Sequence, residues 1–458
     1  MVALPQPQTP GLAQILQWVF NPIGYMETNT RRFGDIFKAK IAPTEAGSVV
    51  LVSHPDAIQY LLTHDTGKAL SAPGEANQLA EPLLGKHSVI LQSGKQHRQR
   101  RKLMTPPFHG ERMQAYGELI CQITRQVVGE WTVGETFSAR DAMQKITMRV
   151  ILQAVFGLHE GHRYRRLETL LAERLNLISS PLTSALIFFP KLMIDLGPNS
   201  LAGRVKRIVE ETDRLLYDEI RDRRADLDPE RADVLTLLLQ ARDENGDGLT
   251  DDELHDELMT LLVAGHETTA TALAWALYWM HRQPEVREKL LAEKGASQGD
   301  LMAIAKRPYL NAVCNETLRI YPVAMVTLPR RVEQPLTLMD HELEPGTLVM
   351  GCIYSLHHRP DLYPNASEFR PERFIERQFS PYEFLPFGAG ARRCIGAALA
   401  MYEMALVLDT ILDQCELTLA DDRPVVPQRR GGTLGPAGGV LLKKMAPVAA
   451  RPDELTRV

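Results

Sequence analysis

The sequence has few cysteines, no long apolar run and no large excess of one charge. Its five cysteines are odd in number and widely scattered among 458 residues, which argues against a disulfide framework and indicates a reducing compartment. No run of about 20 apolar residues occurs, so no transmembrane helix is predicted. No signal peptide is evident at the N-terminus. A formal net charge of −5 argues against general nucleic-acid binding. A soluble, cytoplasmic protein is the expectation.

The chain has material for a large core, because 44% of its residues are hydrophobic. Amphipathic helical patterns dominate after residue 95, and neither internal repeats nor a convincing inter-domain linker is found. Short strand-like segments occur at residues 36–41, 48–52, 336–338 and 347–354. We predict one large, mainly α domain with small β-sheets over residues 31–445. An N-terminal segment over residues 1–30 and a disordered tail over residues 446–458 flank it.

A long helix is predicted after Thr250. The residues 250–253 (TDDE) form a capping box, and no proline follows until Pro284. The helix therefore extends for roughly 30 residues, about 45 Å. Its middle reads AGHET at residues 264–268, so the acid Glu267 and the hydroxyl of Thr268 interrupt an otherwise apolar run. A polar edge turned to solvent is the simpler explanation, but apolar residues on both sides argue against it.

A second unusual stretch, residues 387–396 (FGAGARRCIG), lies just before a predicted helix. Its glycines allow positive φ and close backbone approach, and its two arginines favour a thiolate at Cys394. Since no CxxC partner is present, zinc is not expected. A lone thiolate in a tight glycine loop is a candidate axial ligand of haem iron. A buried structural cysteine is the alternative.

The pattern Phe-x-x-Gly-x-Arg-x-Cys-x-Gly resembles the haem-binding signature of the cytochrome P-450 family, the haem-thiolate monooxygenases. Further motifs follow the family order over roughly residues 30–445. They are His97 with Arg101, residues 264–268, Glu316-x-x-Arg319, and residues 369–374 with Arg373. The resemblance implies the cytochrome P-450 fold, a single triangular prism. Haem b, iron protoporphyrin IX, would lie between the long helix and the cysteine loop.

The resemblance also implies a role for individual residues. Cys394 would bind the iron. Thr268 and Glu267 would be catalytic and deliver protons beside a locally opened turn of the helix. Glu316, Arg319 and Arg373 would form a buried structural network, although Glu-x-x-Arg alone is most often a surface ion pair. The residues expected to contact the haem or its propionates are His97, Arg101, Arg330, Arg392, Phe387, Gly388, Ala264 and Gly265. For the basic turn at residues 97–102, a solvated face is the alternative.

The implied reaction inserts one oxygen atom from O2 into a lipophilic substrate. A long-chain fatty acid or hydrocarbon is slightly favoured over a terpenoid. Electrons would come from a ferredoxin- or flavodoxin-type donor with its reductase, which would dock on a basic patch of Lys95, Arg98, Arg100 and Lys102. A monomer is expected. The alternatives are a haem-thiolate isomerase or dehydratase, against which Glu267 and Thr268 argue, and a non-catalytic haem-based sensor.

The substrate pocket is expected to be apolar, with His87 or Lys86 as the only charged anchors suggested by the sequence. Its expected lining comprises residues 78–91, 177–189, 261–264, 323–328 and 433–434. Two apolar segments leave a weak peripheral membrane contact open. One is the amphipathic stretch 12–20, for which packing against the body is preferred, and the other is the region 178–196.

Overall fold

The computed structural model describes residues 4–41, 47–108, 110, 112–179, 197, 200–294 and 300–447. Over these residues the chain is mainly helical with small β-sheets, as predicted. The helices before the long helix are α1 (Gly11–Phe20), α2 (Pro22–Phe33), α3 (Pro55–Thr63), α4 (Glu81–Leu84), α5 (Gly94–Met104), α6 (Arg112–Gly129), α7 (Ala139–Phe156), α8 (His162–Ser179), α9 (Leu201–Ala225) and α10 (Val234–Gln240). The long helix and those after it are α11 (Asp251–Arg282), α12 (Pro284–Glu293), α13 (Leu301–Ile304), α14 (Pro308–Ile320), α15 (Ile353–His357), α16 (Arg373–Glu376) and α17 (Ala397–Gln414).

The strands form small sheets beside the helical body. They are β1 (Ile36–Ala39), β2 (Val49–Val52), β3 (Leu70–Ser71), β4 (Thr136–Ser138), β5 (Arg330–Val332), β6 (Leu336–Leu338), β7 (His341–Leu343), β8 (Leu348–Gly351), β9 (Cys415–Leu419), β10 (Pro427–Arg430), β11 (Thr433–Pro436) and β12 (Leu441–Pro447). The largest has the order β1-β2-β8-β5-β3, in which β2 and β8 are parallel and the other pairs antiparallel. This sheet carries Arg330, one of the predicted haem contacts, on β5.

The long helix α11 confirms the sequence prediction in both length and start. Its 32 residues begin after a complete capping box, in which the Glu253 amide donates to the Thr250 hydroxyl and the Thr250 amide donates to the Glu253 carboxylate. Most of its residues are buried, since it crosses the protein between other helices. The Trp275 indole nitrogen donates to the Leu434 carbonyl at 3.0 Å, which fixes the helix to β11.

Two hydrophobic clusters meet along α11. One contains the second half of this helix together with α6, α14 and α17, and the other contains its first half together with α7, α8 and α9. Leu399, at the start of α17, packs against both clusters. The loop that carries Cys394 immediately precedes α17, so it lies where the two halves of the core join.

The chain ends contain further elements. Helix α2 runs through residues 30 and 31, and β12 includes residues 446 and 447. Residues 448–458, the rest of the predicted tail, and residues 180–196, nearly all of the second apolar segment, lie outside the described residues. Among the helices that are described, none is both long and apolar enough to cross a membrane.

Candidate active site

The cysteine loop is a tight turn held by its own backbone. The Cys394 amide donates to the Phe387 carbonyl at 2.9 Å, which closes the loop. Gly388 and Gly390 have φ of +63° and +69°, the left-handed region that favours glycine. Gly396 has φ of −85°, so the expectation of positive φ is wrong at this third glycine. The chain there is already turning into α17.

Gly390 is required by a close contact as well as by its φ. A Cβ at this position would lie 2.3 Å from the Leu62 carbonyl oxygen and 2.4 Å from the Asp65 carboxylate. The same carboxylate accepts from the Ala391 amide at 2.9 Å and from Arg330 Nε at 2.8 Å. Asp65, at the end of α3, therefore fixes the cysteine loop to the β5 arginine.

The Cys394 side chain is accessible although it lies in the interior of the fold. It is the one cysteine of the five that is exposed. Burial nevertheless raises the pKa of its thiol, opposed by the Gly396 amide and by the charges of Arg101 and Arg393. A side chain that is accessible and yet surrounded by protein must face an internal space. We infer that Cys394 faces such a space. Arg101 supplies one of the two charges at the thiol, whereas the sequence had suggested Arg392.

Across the joint core, the middle of α11 also presents an accessible surface. Ala264 is exposed and Thr268 is half-buried, although the residues around them are mostly buried. Ile395 and Leu261 pack against the same hydrophobic cluster, so the cysteine loop and this part of α11 contribute to the same half of the core.

The hydroxyl of Thr268 donates to the Ala264 carbonyl at 2.5 Å. Helix α11 continues without a break through this turn, so the locally opened turn that the resemblance implied is not seen. Gly265 has a packing reason, because a Cβ there would lie 2.3 Å from Ile151 Cδ1 on α7. The glycine allows α7 and α11 to approach closely.

Glu267 is buried and faces α7. One carboxylate oxygen accepts from Arg140 Nη2 at 2.8 Å and the other accepts from Gln144 Nε2 at 2.6 Å. Arg140 also lies 3.8 Å from the exposed carboxylate of Asp141, which leads toward solvent. The interpretation of residues 267–268 as a solvent-facing edge is therefore wrong for Glu267. Sequence inspection missed Arg140 and Gln144, since nothing in their local pattern marks them.

Four of the predicted haem contacts form a cluster of basic side chains. Burial, followed by the positive charges of Arg392, Arg101 and Arg330, lowers the pKa of His97 to about 4. The pKa of Arg392 is lowered to about 10, first by burial and then by Arg330. The pKa of Arg101 is also lowered by burial. His97 is buried, whereas Arg101 and Arg392 are half-buried, and neighbouring positive charges disfavour the charged form of each.

The hydrogen bonds divide this cluster into two pairs. Arg330 donates to Asp65, as described above. It also donates to the carbonyls of Leu328 and Ala389, at 2.8 and 3.2 Å. Arg392 is likewise engaged, and its acceptors are the carbonyls of Val89, Ile90, Ala72 and Gln92. Its Nε is buried and has no partner among the described residues. No hydrogen bond from the side chain of His97 or Arg101 to another described residue is present.

This arrangement fits a haem. The group needs a thiolate for its iron, an interior space for its ring and cations for its two propionates. Cys394 provides the accessible thiol, and Ala264 provides an exposed surface on α11. His97 and Arg101 provide donors that are not used elsewhere in the described structure.

On α14, Glu316 and Arg319 form a buried ion pair. Arg319 donates to both Glu316 oxygens, at 2.6 and 2.8 Å. Arg373 Nε adds a third bond at 3.1 Å, and the Arg370 amide adds a fourth at 2.8 Å. The three ionic side chains are buried, so the alternative of a surface ion pair is wrong.

The basic turn on α5 has both buried and exposed members. His97 is buried, while Lys95, Arg98 and Lys102 are exposed. Arg100 is not part of the exposed patch, because it pairs with Glu253 and lies 3.7 Å from Glu257 on α11. The exposed basic patch is therefore smaller than the sequence suggested.

The suggested anchors Lys86 and His87 line a separate cavity of about 570 Å³, between the loop after α4 and helices α8, α9 and α11. Neither Ala264 nor Thr268 is in its lining. The cavity is rich in charge, with Arg174 among its buried members. It is unlike the apolar pocket that the sequence predicts.

Comparisons with known proteins agree with this geometry. The family model described as Cytochrome P-450 matches residues 5–443. The chain is 36% identical over 425 residues to a Mycobacterium tuberculosis protein named Putative cytochrome P-450 135B1, covering 92% of this chain and 87% of that protein. It is 34% identical over 417 residues to Putative cytochrome P-450 137 of the same species, covering 90% of this chain and 83% of that protein.

Two solved structures are similar along nearly the whole chain. Cyanobacterial CYP120A1 with retinoic acid bound has a TM-score of 0.84 and 26% identity, covering 97% of this chain and 99% of that one. The haem domain of a cytochrome P450DA mutant also has a TM-score of 0.84, at 22% identity, with 99% of each chain covered, and supports the fold alone. The chain therefore belongs to the cytochrome P-450 family of haem-thiolate monooxygenases, and its cofactor is haem b.

Proposed function

We propose that this protein inserts one oxygen atom from O2 into a lipophilic substrate, a long-chain fatty acid or hydrocarbon or a terpenoid. A separate ferredoxin- or flavodoxin-type donor supplies the electrons. The observation that carries the proposal is an accessible interior thiol near a helix that holds a hydroxyl and an acid, Thr268 and Glu267. We further propose a cytoplasmic monomer whose catalytic domain spans residues 31–445.

The residues divide the work of holding the cofactor. Cys394 would ligate the iron, and Ala264, Gly265, Phe387 and Gly388 would contact the haem. His97 and Arg101 would donate to the propionates, while Arg330 and Arg392 would contribute positive charge and fix the surrounding backbone. Haem bound through a thiolate supplies the electron-rich iron that activates O2.

Thr268 and Glu267 handle protons on the α11 side. The Thr268 hydroxyl donates to the Ala264 carbonyl and keeps its lone pairs, so it can accept a proton on one side and release one on the other. Glu267 is held as an acceptor by Arg140 and Gln144. Asp141, which is exposed and close to Arg140, gives this chain of groups an outer end.

Replacing Thr268 tests the proton route. In Thr268→Ala we expect oxygen consumption to continue while product per O2 falls about a hundredfold and hydrogen peroxide is released, the lower end of the 10²–10⁴-fold that a general acid–base group typically contributes. Product, peroxide and O2 are measured together with a turned-over substrate. Thr268→Ser restores coupling, and Thr269→Ala, a buried neighbour on the same helix, leaves it unchanged. Unchanged coupling in Thr268→Ala would place the proton route elsewhere.

Replacing Cys394 tests the iron ligand. In Cys394→Ser we expect the reduced carbonyl complex to lose its red-shifted absorption, since a serine oxygen cannot supply thiolate ligation. The matched control is Cys121→Ser, which changes a buried cysteine of the core and keeps the band. A retained band in Cys394→Ser would contradict the assignment.

The substrate class is supported by one neighbour. Cyanobacterial CYP120A1 binds retinoic acid, a terpenoid that ends in a carboxylate and so shares features with both candidate classes. The test is a spin-state titration of the holoenzyme with fatty acids, alkanes and terpenoid acids, followed by turnover with a ferredoxin and its reductase. A protein that binds haem but oxidises none of these compounds would favour the sensor alternative.

A further inference from the structure

Helix α11 carries a second buried acid, which the proposed function does not use. Glu257 is fully buried, with 0% of its surface exposed. Arg100 Nε, on α5, lies 3.7 Å from one of its carboxylate oxygens, but the same guanidinium donates through Nη2 to Glu253. Both oxygens of Glu257 and Nη1 of Arg100 have no hydrogen-bond partner among the described residues. Unsatisfied buried polar groups are costly and therefore need an explanation.

The surroundings of Glu257 keep it neutral at pH 7. Burial raises the pKa of this carboxyl to about 8. The charges of Asp256 and Glu253 on α11 act in the same direction, whereas Arg100 on α5 and the Val89 amide act to lower the pKa. The acid therefore holds its proton near neutral pH and releases it in mildly alkaline solution.

The position of Glu257 along α11 relates it to the candidate active site. Leu261, Ala264 and Thr268 follow it by four, seven and eleven residues, so the four side chains lie on one face of the helix. At a rise of 1.5 Å per residue, Glu257 precedes Thr268 by about 16 Å. The buried acid thus belongs to the same helix face as the hydroxyl that we propose to handle protons.

The loop after α4 is bound to this stretch of α11. The Thr260 hydroxyl donates to the Ser88 hydroxyl at 2.7 Å, and the His87 amide donates to Asp256 Oδ2 at 2.8 Å. Ser88 and Thr260 are both buried. Because the two bonds flank Glu257 along the helix, they fix its surroundings.

Two contacts lead from Glu257 to the cluster of basic side chains. Val89, the next residue of the loop, places its amide near Glu257, and its carbonyl accepts from Arg392 Nη1 at 2.9 Å. On the other side, Arg100 directly precedes Arg101 on α5. Arg392 and Arg101 are among the cations proposed for the haem propionates. The buried acid is therefore separated from each of them by one residue.

We propose that Glu257 makes the reduction potential of the haem iron depend on pH, because its charge acts on the site that Arg101 and Arg392 border. The inference rests on the proposed placement of the propionates at these two arginines. A carboxylate charge added near the iron favours the oxidised, more positive form and lowers the potential. Above the pKa of Glu257, one electron passes from the proposed donor to the iron while the carboxylate takes one proton from solvent, so the site gains no net charge.

The test measures the reduction potential of the holoenzyme by spectroelectrochemistry across a pH titration. In the wild type we expect a constant potential at pH values well below the Glu257 pKa of about 8, and a fall as pH rises through it. Glu257→Gln mimics the neutral acid, so its potential should show no such fall. The matched control is Glu376→Gln, which changes an exposed carboxylate paired with Arg370 and keeps the wild-type dependence.

Two neighbouring substitutions should move the fall in opposite directions. Glu253→Gln removes a negative charge and leaves Arg100 to Glu257, so the fall should begin at lower pH. Arg100→Gln removes the cation that favours the ionised form, so the fall should move to higher pH. A residue that served packing alone would not produce this pattern of potentials.

Infrared difference titration of the holoenzyme, with Glu257→Gln as the reference, checks the ionisation directly. We expect the C=O band of a protonated carboxyl, which is lost as pH rises. Absence of this band would overturn the proposal. So would a wild-type potential that does not fall, or an equal fall in Glu257→Gln. Neither measurement uses substrate or O2, so failure of the monooxygenase proposal is seen separately, in the coupling of Thr268→Ala.

Discussion

Two groups of arginines in the described part of the chain differ in whether their charges are matched. In the first, Arg319 and Arg373 both donate to Glu316, and all three side chains are buried. In the second, around His97 and Arg101, burial and mutual repulsion lower the pKa values of the members. Asp65 is paired with Arg330, and its charge also opposes the lowering of the Arg392 pKa.

The difference indicates two uses of the same side chain. A buried cation whose hydrogen bonds and charge are satisfied within the chain stabilises the fold only as long as its partner is present. A buried cation without a partner lowers stability by itself and lowers it less when an anion binds. The first group is therefore a closed structural network, and we propose that the second is an open site which the two propionates of haem b would complete.

Removing the charge of Glu316 from the closed network should have the largest effect on stability. Glu316→Gln leaves two buried guanidinium groups beside a neutral amide, and we expect unfolding free energy to fall by about 3–5 kcal/mol. Urea unfolding followed by circular dichroism measures this. The control, Glu376→Gln, breaks the exposed pair with Arg370 and should cost about 0–1 kcal/mol. Similar losses in both variants would mean that the network is not a special support of the fold.

Removing a cation from the open cluster should have opposite effects on the two states. Arg101→Gln should weaken haem binding by about tenfold to a hundredfold, since charge-assisted hydrogen bonds contribute about 1.5–3 kcal/mol. The apoprotein should keep or gain stability, because a buried unmatched charge has gone. Haem transfer to an acceptor protein measures the first effect, and urea unfolding of the apoprotein measures the second.

His97→Ala should weaken haem binding less than Arg101→Gln does, since the pKa of about 4 leaves this imidazole neutral at pH 7. The exposed Arg98 on the same helix provides the control, and Arg98→Gln should retain haem normally. Loss of apoprotein stability in Arg101→Gln would show that the cluster is closed by a partner within the chain.

A smaller effect should appear at His255. This residue can form ion pairs with two neighbouring carboxylates only when it is protonated. Its ring nitrogens lie 3.2 Å from Asp213 and 3.0 Å from Asp256. Burial acts to lower its pKa, but the two carboxylates outweigh burial and raise it. The stabilisation is therefore complete below the ordinary histidine pKa of about 6.5 and is lost as pH rises through the folded-state value.

His255→Gln should therefore lose about 1 kcal/mol at acid pH and converge with the wild type at alkaline pH. Urea unfolding across this range is the measurement. His159→Gln, at an exposed histidine, should change little at any pH. A loss in His255→Gln that does not depend on pH would show that only packing against Tyr217 matters there.

The features that sequence reasoning predicted are those encoded in local runs of residues. The capping box and the absence of proline define α11, and a ten-residue pattern marks the cysteine loop. The side chains that complete the site were not predicted, because they come from distant parts of the chain. Arg140 and Asp65 contact Glu267 and Arg330 across more than 100 residues, and neither lies in a recognisable pattern.

Rotation of helices about their axes was the second source of error. Residues 97–102 are almost all basic or polar, so their sequence does not show which of them face inward. The structure turns His97 into the core and directs Arg100 to Glu253 on α11. Hydrophobic periodicity, which identifies the inner face of most helices, is absent from this stretch.

One carboxylate oxygen of Asp65 accepts from both Arg330 and the Ala391 amide. The charge balance of the open cluster and the placement of the loop that carries the proposed iron ligand thus depend on a single atom. An exchange of Asp65 for asparagine would make the cluster more positive by one unit and, in the same change, loosen the segment that leads to Cys394. Cofactor affinity and iron-ligand geometry are therefore not independently adjustable at this position, and a variant library of this enzyme would find the two properties changing together.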